Sequence, residues 1–218
     1  MNDSYTIRSY RPQDRDSIRR ICCDTGFLGK PVDELFQDRE LFADFQTAYY
    51  TDEEPDSAWV MEEHGRVVGY LIACLDETRH AAYMRRRLPA LAARALARWI
   101  TGRYNRATRQ YLRWLLLRGW RETPRRPADA AHFHFNLLPG ARGAGATKAL
   151  FDAFAARLET SHARCAYGQI MVRDTRRRAF FERYGWKLTD LKPVTKFRHA
   201  TNENLYLATL EKDLRAAT

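Results

Sequence analysis

No stretch of these 218 residues approaches the roughly 18 consecutive apolar side chains that a membrane-spanning helix requires. Cysteine is scarce: the chain has only Cys22, Cys23, Cys74 and Cys165. None has the spacing of a metal site, and the adjacent pair Cys22-Cys23 would close only a strained bridge. Free thiols in a reducing cytoplasm are therefore expected. The opening Met1-Asn2-Asp3-Ser4 lacks the basic-then-apolar character of a secretory signal. There is no internal repeat and no low-complexity tail. Lysine is missing altogether between Arg79 and Arg126, and acids almost so.

That deficit locates the charge. Arg79 to Arg126 holds fourteen arginines against the single acid Glu122, a local balance of +13. The whole chain carries +10, so the remainder is mildly acidic at −3. The high pI belongs to one inserted piece. A hydrophobic content of 45% fills a sizeable core. The length suits one domain over 1–218, carrying a basic helical insertion over 77–129.

Periodicity supplies the element order. Tyr5 to Ser9 reads as a strand, Asp14 to Cys23 as a helix, and Val32 to Tyr50 as a second helix. Ser57 to Glu62 and Val67 to Leu75 form a hairpin around His64-Gly65-Arg66. In the insertion, Pro89 predicts a helix start and Gly102 a stop. Between them Ala92, Leu96, Trp99 and Ile100 make an apolar stripe suited to packing. A further helix spans Arg103 to Arg118, and Pro124 to Pro127 is an extended linker. Beyond the insertion, Ala166 to Val172 is a strand and Arg176 to Tyr184 a helix stopped by Gly185. Two last strands follow, Trp186 to Phe197 and Leu205 to Leu210.

The run from His132 to Phe151 is the richest in chemistry. Phe133, Phe135 and Leu137 alternate with His132, His134 and Asn136, as in a strand with two different faces. From Gly140 to Ala146 only Arg142 breaks a series of Gly and Ala, and helical spacing starts at Lys148. A bare helix N-terminus beside a cation suits an anionic phosphate.

This order, with Arg142-x-x-Gly145 after a strand and Phe180-Phe181-Glu182-Arg183-Tyr184-Gly185-Trp186 near the end, resembles the GNAT superfamily of acetyl-CoA-dependent N-acetyltransferases. Ile7-Arg8-x-Tyr10-Arg11-Pro12-x-Asp14 is similar to the first strand and helix of that family. Trp59-Val60-x-Glu62-x-x-Gly65-x-Val67-Val68-Gly69-Tyr70 is similar to its second and third strands. Leu138-Pro139-x-x-Arg142-Gly143-x-Gly145 resembles its acyl-CoA loop. Tyr49-Tyr50, Glu54-Pro55 and the break before the fourth strand also resemble the acetyltransferase-like domains associated with O-GlcNAcase and their bacterial relatives.

The resemblance implies an α/β fold: a mixed, mostly antiparallel central sheet flanked by helices, with the insertion between the third and fourth strands. It implies acetyl-CoA as cosubstrate, no metal, and a small-molecule or sugar-like amine as acceptor. It places the pyrophosphate on the N–H groups of Arg142, Gly143, Ala144, Gly145, Ala146 and Thr147. Pantetheine would run along Asn136, Leu137 and Leu138, and Asp174 stands where an Asn often contacts CoA. The chain departs from the family pattern twice. Thr147 replaces a small residue, although its hydroxyl still suits phosphate. Phe181 replaces the Tyr that protonates the leaving thiolate beside the cofactor, which leaves Tyr184, water or an inactive CoA-binding relative as readings.

Several alternatives stay open at this level. His132, His134 and Asn136 are candidates for the general base or for contact with the acceptor, or they form a solvated polar face. A His-x-His metal site lacks a visible third ligand. Asp76 and Glu77 suit amine binding or a base, or are solvated strand-end acids. The basic insertion reads as a lid over the acceptor, as a dock for an anionic membrane or nucleic acid, or as a homodimer contact or simply a solvated arginine-rich face. A protein lysine or N-terminal acceptor differs from a small molecule only in what enters the site.

Overall fold

A computed structural model of the protein describes residues 5–161, 163–173, 181–198 and 201–214. Asp174, and the sequence-predicted helix up to residue 180, lie outside the described residues. Seven strands make one sheet: β1 (Tyr5–Ser9), β2 (Ala58–Glu63), β3 (Arg66–Cys74), β4 (Ala130–Leu137), β5 (Cys165–Val172), β6 (Lys187–Val194) and β7 (Leu205–Asp213). Their spatial order is β1-β2-β3-β4-β5-β7-β6. Every neighbouring pair is antiparallel except β4 with β5. This is the mixed, mostly antiparallel sheet that the sequence implied.

Strand alternation builds a core on each face. Tyr70, Ile72 and Cys74 of β3 pack with Ile18, Cys22, Phe42 and Tyr50, under α1 (Arg15–Thr25) and α2 (Arg39–Asp52). Leu71 and Ala73 point the other way, with Phe133, Leu150 and Phe154, under α6 (Ala144–Glu159). The residues 32–50 are not one helix. A 3₁₀ turn over Val32–Glu34 precedes α2, and Asp38 caps α2 by accepting from the Leu41 N–H at 3.1 Å.

The insertion comprises α3 (Glu77–Ile100), α4 (Arg106–Leu117) and α5 (Gly119–Glu122). Helix α3 starts twelve residues before Pro89, because Asp76 caps it by accepting from the Arg79 N–H at 3.0 Å. Pro89 sits inside the helix. Residues 85–90 are all exposed, so the Arg85 carbonyl that Pro89 leaves without a donor lies in a segment open to solvent.

The stripe expected to pack is turned outward instead: Leu96 is 58% exposed and Ile100 74%. The cause is a buried acid. Asp38 accepts from Tyr104 Oη at 3.0 Å and binds Arg94 at 3.2 Å and Arg98 at 2.5 Å. A buried carboxylate without such partners is far more costly than an exposed leucine. Arg94 and Arg98 of α3 therefore face the start of α2. Glu122 ties the far end of the insertion to the sheet, accepting from Trp114 Nε1 at 2.6 Å and from the Thr195 N–H at 2.7 Å.

The strands β4 and β5 pair only from Ala130↔Cys165 to His132↔Tyr167. Beyond that point they part. Here the Phe133 ring lies on Gly168: a Cβ at residue 168 would stand 2.3 Å from Phe133 Cζ. The ring cannot retreat, because Phe151, Phe154 and Trp186 surround it with centroids at 4.9, 5.5 and 5.3 Å. Gly168→Ala is predicted to cost roughly 1–3 kcal/mol of overpacking. Urea unfolding measures this, and a loss below about 0.5 kcal/mol would refute the wedge.

Candidate active site

Between the parted strands lies a cavity of about 700 Å³. One end is formed by the loop into α6. Gly143 caps this helix through its backbone alone, and no acid stands in the first turn. The first intrahelical bond recorded here runs from the Thr147 N–H to the Gly143 carbonyl at 3.1 Å. The N–H groups before it are the unpaired donors of a helix start, with positive partial charge. Arg142, Gly143 and Thr147 line the cavity. Arg142 already donates from Nε to the Leu137 carbonyl at 3.2 Å and from Nη2 to the Gly29 carbonyl at 2.9 Å. It therefore braces the loop after α1 against the end of β4 besides bringing charge.

The two backbone positions expected to meet the ligand differ. The Leu138 N–H donates to the Val68 carbonyl at 2.9 Å, turned toward β3. Alternation along the strand turns the Leu137 N–H the other way, toward the gap. Leu137 is thus the residue whose amide can meet a thioester or an amide edge.

On the opposite side, β4 presents its polar face. The Tyr50 hydroxyl stands 2.9 Å from His132 Nε2. His132 Nδ1 stands 2.8 Å from Glu77 Oε2, a close polar contact between two buried atoms that make no aligned hydrogen bond among the described residues. His80 closes the group, 3.7 Å from Glu77 through Nδ1. His134 does not join this row. Its Nδ1 lies 3.3 Å from Tyr70 Oη, which also accepts from Asn136 Nδ2 at 2.8 Å. The His-x-His-x-Asn face therefore splits into two separate sets.

Burial sets the protonation of both. It pushes the Tyr50 and Tyr70 hydroxyls well above the usual phenol range. It lowers His132, against the opposing pull of Glu77. It takes His134 down to about 4. Burial alone would raise Glu77, yet the His132 and His80 rings hold its carboxyl well below the ordinary range. The row at neutral pH is then a protonated phenol, a neutral imidazole and a carboxylate, the arrangement in which an imidazole can accept a proton.

Cys74, Glu77 and His132 also bring potential ligand atoms within 4.8 Å of one another. The 2.8 Å contact of His132 with Glu77 is shorter than the roughly 3.3 Å between two ligands on one tetrahedral zinc ion. It is the separation of two groups in direct polar contact.

No known protein-family profile matches the chain. Solved structures do. The crystal structure of SsHAT shares 25% identity, with a TM-score of 0.57 over 95% of this chain and 98% of that one. An N-acetyltransferase from Staphylococcus aureus shares 16%, with a TM-score of 0.58 over 97% and 99%. A GNAT superfamily phosphinothricin acetyltransferase from Sinorhizobium meliloti, solved in complex with acetyl-CoA, shares 19%, with a TM-score of 0.59 over 97% and 89%. The chain has the fold of the GNAT N-acetyltransferases.

Within this GNAT fold, some sequence-predicted residues stand apart from the site. Asp76 is an exposed helix cap and does not line the cavity; its neighbour Glu77 is the acid that reaches His132. A one-residue shift decides this, because the cap fixes Asp76 outside the first turn. Tyr184 is also absent from the described lining. The helical residues 181–183 end in a turn at Gly185, φ +81°, which carries Tyr184 past the cavity. Phe181 does line the cavity, packed against Phe135 and Phe151. Tyr49 and Glu54 form a brace: the Tyr49 hydroxyl donates to Glu54 Oε2 at 2.8 Å. Sequence reading singles out Tyr50 only through the Tyr49-Tyr50 resemblance and gives it no place in the site, since nothing local shows that α2 turns it toward β4. It misses Lys196, hidden in a predicted strand.

The depressed His134 predicts a pH dependence of stability. Above about 6.5 the ring is neutral in both folded and unfolded chains. Below that, the unfolded chain takes up a proton that the folded protein resists until about pH 4. Stability is complete above 6.5 and falls as the pH drops, by about 2 kcal/mol from this ring between pH 7 and pH 5. Urea titrations at the two values check it: His134→Gln should flatten the dependence, and an unchanged slope would remove the assignment.

Proposed function

We propose that the protein transfers an acetyl group from acetyl-CoA to the primary amine of a small molecule. One observation carries the reading. The parting of β4 from β5 opens the uncapped start of α6, the free edge at Leu137 and the Tyr50–His132–Glu77 row onto a single cavity. The phosphates of the cosubstrate fit the N–H groups of residues 143–147, and its thioester supplies the activated acetyl carbon.

The remaining steps belong to the side chains. Tyr50 Oη accepts from the acceptor ammonium while donating its own proton to His132 Nε2. His132 becomes an imidazolium held against Glu77, so the positive charge is offset where it forms. The freed nitrogen lone pair attacks the thioester carbonyl, and the Leu137 N–H stabilises the developing oxyanion. The C–S bond breaks, the thiolate takes up the proton that the row received, and the second proton of the former ammonium leaves the amide nitrogen through the reset row to solvent. Phe181 has no proton to give, which makes the row the proton source. The insertion acts as a lid: α4 contributes Tyr111 to the lining and α3 contributes His80 and Met84. This roof, and the walls Phe42 and Phe45, favour a small acceptor over a protein chain.

Calorimetry with acetyl-CoA should show binding, weakened at least about tenfold in Gly145→Glu, which brings a carboxylate to the phosphate seat. No binding at millimolar acetyl-CoA would sink the reading.

Thiol release over a panel of amines tests the row. Glu77→Gln and Tyr50→Phe should lower kcat by about 10²-fold while leaving acetyl-CoA affinity in place. Wild-type rates in both variants would exclude the row from proton transfer.

A further inference from the structure

Among the described residues, one cation of the cavity wall has no carboxylate paired with it. Lys196 lies just beyond β6, half-buried, on the cavity wall. Its Nζ is held between two rings, 4.8 Å from the Phe197 centroid and 5.6 Å from that of Trp114. Among the described residues no carboxylate forms an ion pair with it. The one acid that acts on it from a distance is Glu122. Both carboxylate oxygens of Glu122 are already engaged, by Trp114 Nε1, the Thr195 N–H and Thr195 Oγ1. The other cavity cations differ. Arg142 is bonded to two carbonyls, and Arg126 stands 3.9 Å from Glu77.

The surroundings of Lys196 are apolar. Phe197 packs with Leu35, Leu28, Tyr111 and Met171, and all five line the cavity. Burial in this cup pushes the ammonium down to about 8. An ammonium in an apolar cup, with only ring faces as partners, is an incomplete pair. It offers a single positive charge, which one carboxylate balances. A phosphate dianion would leave a second charge buried.

We infer that the acceptor is an amino carboxylic acid with an apolar body, its carboxylate seated on Lys196 and its amine presented to the Tyr50–His132 row. This rests on the acetyl-transfer reading above and adds the class of acceptor. Both ends of such a molecule find a partner on one continuous cavity, while its apolar part lies against Leu35 and Phe197.

The test compares three phenylethyl amines that differ in the group beside the amine with one small phosphorylated amine. Thiol release is followed with phenylalanine, phenylalanine amide, phenethylamine and O-phosphoethanolamine. The acid should have the lowest KM, by about tenfold or more over the amide. In Lys196→Met the gap between acid and amide should close, and Lys196→Arg should restore part of it. A binding measurement runs beside it without turnover: N-acetylphenylalanine should bind the CoA complex at least about tenfold more tightly than its amide. Equal affinity for acid and amide, or preference for the phosphorylated amine, would overturn the inference. So would acetylation of Lys196 itself, seen by mass spectrometry after incubation with acetyl-CoA. If no amine releases thiol yet the acid still binds better than the amide, the transfer reading fails and the carboxylate seat stands.

Discussion

The parting of β4 from β5 is the constraint on which the site depends. Parallel pairing lasts three residues and stops where Phe133 meets Gly168. From there each strand keeps its outer partner, β3 or β7, and loses the inner one. A sheet interior seldom leaves backbone groups unpaired, because each buried orphan costs free energy. The gap therefore needs a continuous aromatic wall to hold it open and a ligand edge to complete it. Phe133, Phe151, Phe154 and Trp186 provide the wall. The free edge at Leu137 is what a substrate would complete.

The insertion is organised by a second buried element, the Asp38 carboxylate. Its side chain is 1% exposed, and its oxygens meet Arg94, Arg98, Tyr104 and the start of α2. Arginine suits this role because its planar fork serves an acid from several directions without losing its charge. The outcome is a helix whose Arg94 and Arg98 face the domain beside Leu91 and Ala95, while Leu88, Leu96 and Ile100 face water. Leu88, Leu96, Ile100, Leu116, Leu117 and Trp120 are all exposed. The +13 of the insertion is thus not simply a solvated surface. Part of it is spent inside, holding α3 and α4 over the cavity.

Much of the fold was legible in the residues. Period-two alternation located β1 to β5 within a residue or two, because half-buried strands must alternate. The two faces of β4 follow the alternation, whereas α6 starts at Ala144, four residues before the helical spacing expected from Lys148. Errors arose where one buried polar group outweighed periodicity. Pro89 and Gly102 suggested a short helix, but the Asp76 cap set the start at Glu77. The stripe of Ala92, Leu96, Trp99 and Ile100 suggested a packing face, but Asp38 drew the arginines inward. The same local spacing serves either orientation of an amphipathic helix, and only the partner decides between them.

The residues alone mark the order of the strands, the position of the basic insertion and the Gly/Ala-rich run that leads into α6. These follow from local rules: strand alternation, helix period, and the donors of an uncapped helix start. Only the tertiary structure decided which polar groups meet. Tyr50, Glu77 and His132 lie 27 and 55 residues apart along the chain, yet form one row. Lys196 joins their cavity from the far side of the sheet order. Such contacts depend on register and on the angle between strands. No local pattern encodes either, because both are settled by how distant side chains fill the space between the elements.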